Sequence, residues 1–330
     1  MVASAGSVKR CLLKYKLDTI ARKRSGWLRC SSLLLAAISV VGCRNDKADV
    51  TVDLTRRADD SRASTSEELH FAIGTMISPR ESLKDFIALA DYVGRAIGIK
   101  VRILQRRGYA ETNALLERGE ADFAFICTGP FAARHRSEFT LLGVPEVEGS
   151  PTIRSLIVVR TQDPAQTVED LKGSSFGFVD PLSLTGRLYP EVLVSTLTPE
   201  GIPFFGQTVF THSHSDSIEM VVNSRIRAAA VESIVFDYHR HRDPSSTSQL
   251  RILKQSGPFP GPPFVARSKL PAKLRDRLRV ALQGMHETPE GRRILEALGF
   301  TRFADVNDEA YEPVRILWSQ VLGSQSGGRH

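Results

Sequence analysis

Cysteine is scarce in this sequence, with four residues among 330, and their positions limit what they could do. Cys11, Cys30 and Cys43 lie near the N-terminal end, so the long remainder of the chain holds Cys127 alone. A single cysteine forms no intramolecular disulfide, and the stability of the remainder is therefore expected to come from its apolar core. The 42% content of hydrophobic residues is sufficient for such a core and excludes wholesale disorder.

An excess of positive charge is absent from most of the chain, although the formal net charge is +7. Residues 1–43 contain eight basic side chains and one acidic side chain, so they account for the whole net charge. Residues 44–330 contain equal numbers of acidic and basic side chains and lack the net basic charge that is typical of a nucleic-acid-binding domain. Nucleic acid is therefore not an expected partner.

The apolar run Cys30–Gly42 is too short to cross a bilayer, which takes about 20 residues. It follows the basic stretch Arg22-Lys23-Arg24, an order typical of a signal peptide. The run ends in Val40-Val41-Gly42-Cys43, which resembles the lipobox of bacterial lipoproteins. This resemblance implies that residues 1–42 are a lipoprotein-type signal peptide and that Cys43 carries lipid. A cleaved signal without lipid and an uncleaved anchor are the alternatives.

The pattern changes after the signal. Residues 43–68 are polar and charged, and we predict a flexible tether because they cannot bury enough apolar surface to fold. From Leu69 onward, strand-like and helix-like segments alternate with short connections, which predicts α/β architecture with mainly parallel sheets covered on both faces. Predicted strands are 69–74, 99–104, 121–126, 155–159, 175–179, 227–231 and 250–253. Predicted helices are 81–98, 109–118, 216–223 and most of 270–322.

Sequence fingerprints of catalysis are missing. The chain has no Gly-x-Ser-x-Gly elbow, no phosphate loop and no dinucleotide-binding fingerprint, and Cys127 has no evident base beside it. We therefore expect no enzymatic activity and no cofactor. The pairs His212/His214 and His239/His241 have a spacing that suits a metal on a strand, but the second pair is expected on an exposed helical face. An exported metalloenzyme using His212 and His214 is the remaining enzymatic alternative.

The segment Asp180–Pro190 follows a predicted strand and precedes a predicted helix. Ser183 and Thr185 are favoured N-cap residues, and Gly186 lets a ligand approach the backbone. Hydroxyl groups and free amides at a helix start would bind an oxyanion without a charged side chain. An ordinary helix cap that binds nothing is the alternative interpretation.

Seven short motifs occur in order along the chain. They are Gln105–Glu111, Gly119–Phe125, Glu169–Gly173, Asp180–Gly186, Phe210–His214, Ala230–Ser233 and Pro289–Arg292. Together they resemble the substrate-binding proteins of phosphate, phosphite and phosphonate ABC transporters, a branch of the type II periplasmic binding proteins. The resemblance covers about Phe71–Leu317.

The resemblance implies two α/β lobes with a ligand cleft and two hinge crossovers, roughly residues 151–160 and 250–256. The first lobe would comprise residues 69–149 and 257–330, including the C-terminal helices, and residues 150–256 would form the hinge strands and the second lobe. Such a protein is a monomer of the bacterial periplasm or cell surface. It captures a small oxyanion and delivers it to an ABC permease, without a cofactor and without catalysis.

The resemblance also implies ligand-binding residues. Hydroxyls and an amide at the helix start would hold the anionic oxygens, and His214 would donate a further hydrogen bond. Glu232 would accept from a protonated oxygen or an amine of the ligand; alternatively, it points to solvent at the start of a helix. The first lobe would contribute Tyr109 and the Thr128-Gly129 turn. The implied set is Tyr109, Thr128, Gly129, Ser183, Leu184, Thr185, Gly186, His214 and Glu232.

Four positions depart from the family's pattern, and one of them is Ile153, where an aromatic residue is frequent near the cleft. Ser215 follows His214 where an aspartate is usual, Arg227 stands where an aspartate is common, and Gly108 replaces a usual threonine or aspartate. We expect oxyanion recognition to survive these changes and contacts to an organic substituent to differ. Besides import, the sequence leaves open a sensor that presents its ligand to a membrane histidine kinase. It also leaves open a binder of a sulfonate or another organic anion.

Overall fold

Residues 68–134, 138–199 and 202–326 are described by a computed structural model of the protein. The predicted signal peptide, Cys43 and the predicted tether up to residue 67 lie outside this range. Within it, no helix is both long enough and apolar enough to cross a membrane.

Strands and helices alternate along the described chain. The strands are β1 (Glu68–Ile73), β2 (Lys100–Gln105), β3 (Phe123–Phe125), β4 (Phe139–Glu146), β5 (Thr152–Ile153), β6 (Ser155–Arg160), β7 (Ser175–Phe178), β8 (Gln207–Phe210), β9 (Ala228–Glu232), β10 (Leu250–Gln255), β11 (Phe259–Pro260), β12 (Phe264–Arg267) and β13 (Arg302–Ala304). The α-helices are α1 (Pro79–Ile97), α2 (Tyr109–Glu117), α3 (Thr128–Ala132), α4 (Tyr189–Ser195), α5 (His214–Val222), α6 (Ser233–Arg242), α7 (Pro244–Thr247), α8 (Ala272–Gln283), α9 (Pro289–Ala297) and α10 (Glu312–Ser326). A π-helical turn, Leu184–Leu188, precedes α4.

Helix α1 packs against the first sheet through apolar residues that recur at helical spacing in its sequence. Phe86, Leu89 and Val93 recur at helical spacing and are buried against the first sheet. Gly98 ends the helix in the left-handed conformation with φ of 65°, which glycine adopts without strain. The prediction of a helix over 81–98 is confirmed, although Ile87, an apolar residue of this helix, is 45% exposed.

A six-stranded sheet with the order β13-β4-β12-β3-β1-β2 forms the first lobe. Its core is aromatic: the ring of Phe71 stacks on Phe123 with centroids 4.6 Å apart, and Phe125 stacks on Phe264 at the same distance. The second lobe contains a five-stranded sheet with the order β10-β6-β9-β7-β8. Its core contains Phe176 stacked on Phe205, with centroids 3.9 Å apart.

The prediction of mainly parallel sheets is wrong, because both sheets are mixed. Strand β1 is parallel to β2 and β3, whereas β12 pairs antiparallel with β3 and β4, and β13 with β4. In the second sheet β7 is parallel to β8 and β9, whereas β6 pairs antiparallel with β9 and β10. The antiparallel strands include those that enter or leave a lobe at a crossover. Two parallel neighbouring strands are usually joined by a helix that brings the chain back to the same end of the sheet. A strand that enters from the other lobe has no such helix before it, so it can pair antiparallel.

Two crossovers join the lobes, one between β4 and β6 and the other between β10 and β12. They lie side by side, because β5 pairs antiparallel with β11. The Ser155 amide donates to Ser256 Oγ at 2.9 Å, and the Ser256 amide donates to the Ser155 carbonyl at 2.9 Å. The chain therefore has the type II periplasmic-binding-protein fold, with two α/β lobes and a cleft at the hinge.

Candidate functional site

The helix start predicted at Ser183–Gly186 is present as a π-helical turn. Ser183 is its N-cap, and the Gly186 amide donates to Ser183 Oγ at 3.0 Å. The Gly186 amide is therefore occupied by the cap rather than free for a ligand. A Cβ on Gly186 would lie 2.6 Å from Val179 Cβ, so glycine is needed here for packing inside the lobe.

His214 begins α5 and lies beside the end of β9. The Glu232 amide donates to His214 Nδ1 at 3.1 Å, so Nδ1 accepts and the neutral ring carries its hydrogen on Nε2. Burial lowers the pKa of His214 to about 3, which keeps the ring neutral at physiological pH. The Nε2 atom is buried without a hydrogen-bond partner among the described residues. His214 is thus a neutral donor whose Nε2 hydrogen finds no acceptor in the described part of the chain.

Tyr109 contributes a second unpartnered group from the opposite lobe. Its side chain is buried at the start of α2, and its hydroxyl has no hydrogen-bond partner among the residues described. The Ser183 side chain lies close to it, and burial raises the pKa of Tyr109 well above its ordinary value. A buried hydroxyl without a partner is costly, which is the usual mark of a site that binds something.

Glu232 lies at the end of β9 with its side chain buried, so the alternative that it points to solvent is wrong. Thr185 Oγ1 donates to Glu232 Oε2 across 3.4 Å, a long bond. Burial raises the pKa of Glu232 to about 7, because the charged carboxylate loses water and gains only this one weak donor. Near neutral pH Glu232 can therefore either hold or share a proton.

A contact between the lobes forms at Gly129 and Leu184, where a Cβ on Gly129 would lie 2.8 Å from the Leu184 amide nitrogen. Thr128 and Gly129 also bond within their own lobe. Thr128 Oγ1 donates to the Pro260 carbonyl at 3.0 Å, and Trp318 Nε1 donates to the Gly129 carbonyl at 2.8 Å. Leu184 is fully buried in the core. The Thr128 hydroxyl and the Gly129 carbonyl are therefore occupied in this structure, and Gly129 acts mainly by letting the backbones approach.

Cys127 lies at the same contact and is buried, as expected for a small hydrophobic residue. Amides of Leu184 and Gly129 point to its sulfur, and burial raises the pKa of Cys127 to about 12. The thiol is therefore protonated and unreactive at neutral pH.

Asp180 joins the lobes, and sequence reasoning missed this role. Its Oδ2 accepts from the Tyr109 amide at 3.1 Å, while its Oδ1 accepts from the Leu182 amide at 2.8 Å. The carboxylate thus caps the start of α2 from the opposite lobe. Its position at the head of the Asp180–Gly186 motif was the available signal.

Two further bonds cross the cleft near His214. The His214 amide donates to the Met76 carbonyl at 3.0 Å, and Thr75 Oγ1 donates to the His212 carbonyl at 3.3 Å. His212 has a positive φ of 70°, which costs energy in a residue with a side chain. Together with the Asp180 bond, these contacts hold the lobes against each other around Tyr109 and His214.

Ser215, a departure from the family's pattern, forms another contact between the lobes. Its hydroxyl donates to Glu81 Oε2 at 2.8 Å and accepts from the Ser78 amide at 3.2 Å. His239 Nε2 lies 2.9 Å from the Ser215 hydroxyl oxygen. The expectation that His239 is exposed is wrong, because α6 packs against α1 through Tyr238 and buries it.

Ser215→Asp is expected to weaken the contact between the lobes, because it places a second carboxylate against Glu81. In the ligand-free protein, small-angle scattering should give a larger radius of gyration and a larger maximum dimension. Ser319→Asp, on the exposed face of α10, is the control and should change neither. A Ser215→Asp protein with the wild-type radius would contradict this contact.

The described residues contain no cluster of side chains that would support a metal site. Among residues 68–134, 138–199 and 202–326, no group of three or more histidine, cysteine, aspartate or glutamate side chains could hold a metal ion. One ring nitrogen of His214 is occupied by the Glu232 amide.

Comparison with known proteins places this fold and site in a family. Residues 71–311 match the family described as "ABC transporter, phosphonate, periplasmic substrate-binding protein". The phosphonates-binding periplasmic protein of Escherichia coli K12 is 28% identical over 185 residues, which span 54% of this chain and 54% of that protein. The phosphate-import protein PhnD of Mycolicibacterium smegmatis is 25% identical over 240 residues, covering 67% of this chain and 74% of that protein.

A solved structure supports the fold. The binding-protein component of an ABC phosphonate transporter from Pseudomonas aeruginosa superposes with a TM-score of 0.72 at 20% identity, covering 80% of this chain and 89% of that one. The family match spans most of the chain, including the helix start, His214 and Glu232. The chain belongs to the phosphonate-type periplasmic substrate-binding proteins of ABC transporters.

Proposed function

We propose that this protein captures a small phosphorus oxyanion, namely phosphate, phosphite or a phosphonate, and delivers it to the membrane subunits of an ABC importer. One observation carries the proposal. Two buried donors from opposite lobes, the Tyr109 hydroxyl and His214 Nε2, lack partners among the described residues. An oxyanion between the lobes would satisfy both, and would do so only while the lobes are closed.

The chemistry of the site suits a partly protonated anion. The unpartnered donors Tyr109 and His214 are neutral, and Thr185 would donate to the ligand in exchange for its long 3.4 Å bond to Glu232, so the site stabilises negative charge without an ion pair. Glu232, with a pKa raised to about 7, would accept a hydrogen bond from a protonated ligand oxygen or from an amine. The names of two relatives, a phosphonates-binding protein and a phosphate-import protein, support the same ligand class.

Thr185→Ala is expected to weaken binding of phosphate, phosphite or methylphosphonate by about 10- to 100-fold, because a hydrogen bond to a charged ligand contributes about 1.5–3 kcal/mol. Isothermal calorimetry on the wild type and the variant measures this directly. Thr247→Ala is a matched control, because the Thr247 hydroxyl is also buried but bonds to Pro244 within α7.

The wild type and Thr185→Ala together distinguish two ways in which the proposal could fail. A wild type that binds none of the three anions would overturn the proposed function. A wild type that binds one of them with an affinity that Thr185→Ala leaves unchanged would move the site away from the helix start.

We infer that lipid on Cys43 holds the mature protein at a membrane surface. Cys43→Ser should abolish labelling with a radioactive fatty acid and shift the protein to the soluble fraction or leave it unprocessed. Cys30→Ser, inside the predicted signal peptide, is the matched control and should retain the label. Unchanged labelling of the Cys43→Ser protein would refute the anchor.

A further inference from the structure

We propose that Ser155 is a positioning residue that couples the hinge to the ligand site by holding the backbone of Thr185. This inference rests on the proposed function and names a part of the machinery that the family motifs do not contain. Ser155 is the first residue of β6, directly after the first crossover, and it is fully buried.

Three hydrogen bonds place Ser155 between the two structures it would couple. Its amide and its carbonyl both bond to Ser256 on the second crossover, each at 2.9 Å. Its hydroxyl donates to the Thr185 carbonyl at 2.6 Å. One residue thus ties the paired crossovers to the turn that carries the Thr185 side chain.

The sequence explains why the Thr185 carbonyl needs a donor from outside its own turn. In this π-helical turn the Leu188 amide donates to the Ser183 carbonyl, and the Tyr189 amide donates to the Leu184 carbonyl. The next bond in this register would come from residue 190 to Thr185. Residue 190 is proline, which has no amide hydrogen, so the Ser155 hydroxyl supplies the missing bond.

Ser155 also adjoins the acidic side of the site. It stands opposite Glu232 in the antiparallel pairing of β6 with β9. Thr185 is therefore held through its backbone by Ser155 and through its hydroxyl by Glu232. Ser155, Thr185 and Glu232 all belong to the second lobe, so these bonds fix the Thr185 hydroxyl next to the paired crossovers.

A double-mutant cycle tests the proposal. Calorimetry with inorganic phosphate and methylphosphonate is carried out on the wild type, Ser155→Ala, Thr185→Ala and the double variant. We expect Ser155→Ala to weaken binding by about 10-fold, in line with one lost hydrogen bond. In the Thr185→Ala background the same change should cost less than about twofold, because no hydroxyl remains to be positioned.

A hinge control separates this role from general loss of structure. Ser256→Ala removes a buried hinge hydroxyl that bonds to Ser155 but not to Thr185. Its effect on affinity should add to that of Thr185→Ala. If the effect of Ser155→Ala also adds, or if Ser155→Ala binds like the wild type, the positioning role is overturned.

A second pair keeps the test decisive if Ser155→Ala does not fold. Ser155→Thr keeps the hydroxyl, and Ser155→Val places a side chain of the same shape as threonine there without a hydroxyl. Both side chains are suited to a strand. The valine variant should bind about 10-fold more weakly than the threonine variant, and equal affinities would overturn the role. A wild type that binds no phosphorus oxyanion would instead overturn the proposed function itself, so the two failures are distinct.

Discussion

Gly129→Ala is expected to weaken oxyanion binding by about 100-fold while the protein remains folded. A Cβ on Gly129 would lie 2.8 Å from the Leu184 amide nitrogen in the opposite lobe and closer still to the Leu182 carbonyl oxygen. Both neighbours are backbone atoms, which cannot rotate away. A clash of this kind costs about 3 kcal/mol, and because it exists only when the lobes meet, it acts on closure and therefore on affinity.

Gly108→Ala is the matched control for this variant. Gly108 also faces the opposite lobe, but its Cβ would lie 3.6 Å from Asp180 Oδ2, an ordinary van der Waals distance. Calorimetry with phosphate and methylphosphonate should show near wild-type affinity for Gly108→Ala. Circular dichroism should show unchanged secondary structure in both variants. Wild-type affinity in Gly129→Ala would mean that the ligand binds without the closed contact described above.

Glu232→Gln is expected to raise the stability of the ligand-free protein above pH 7 by about 3 kcal/mol, at 1.4 kcal/mol for each unit of pKa. The pKa of Glu232 rises from 4.5 to about 7 in the folded protein, because the buried carboxylate has lost its water. The folded state therefore favours the protonated form.

The sign of the pH dependence follows from that shift. Below about pH 4.5 the side chain is protonated in both states and carries no penalty, whereas above about pH 7 the folded protein bears the full cost of the buried charge. The stability of the wild type, measured by thermal unfolding, should therefore fall as pH rises from about 4.5 to 7. The stability of Glu232→Gln should not fall over this range. Glu219→Gln, on the exposed face of α5, serves as control. A parallel pH profile in wild type and Glu232→Gln would show that Glu232 is solvated.

The same carboxyl group should discriminate among anions. Sulfate is fully ionised near neutral pH and cannot donate to Glu232, whereas protonated phosphate or phosphite can. Glu232→Gln should therefore narrow the difference in affinity between phosphorus oxyanions and sulfate. An unchanged ranking of phosphate, phosphite and sulfate would contradict this role.

Part of the order of elements could be predicted from the sequence, because hydrophobic periodicity is a local property, but the strands β4, β8 and β13 were not predicted. The helix predicted over 81–98 is Pro79–Ile97, and the strand predicted over 175–179 is Ser175–Phe178. Strand direction is not local, because it depends on which distant segments pair. The antiparallel strand β6, beside the first crossover, was therefore predicted wrongly as part of a parallel sheet, and β12 was not predicted as a strand.

The candidate site likewise combines local features that could be predicted from the sequence with tertiary contacts that could not. Motifs identified the Ser183–Gly186 turn, His214 and Glu232 as residues close to one another, but which of their atoms are free depends on tertiary contacts. The His214 tautomer is set by the Glu232 amide, and the Gly186 amide is taken by Ser183. The role of Ser155 depends on a carbonyl that Pro190 leaves without a donor. Ser183 and Gly186 share one motif, whereas Ser155 and Pro190 lie outside the motif that contains Thr185.

A crystal structure of the protein with methylphosphonate tests the central claim most directly. We predict that the phosphonate lies between the lobes, with oxygens about 2.6–3.2 Å from Tyr109 Oη, His214 Nε2 and Thr185 Oγ1. A phosphonate bound elsewhere, or a cleft in which the Tyr109 hydroxyl and His214 Nε2 both bond to other groups of the protein, would contradict the account.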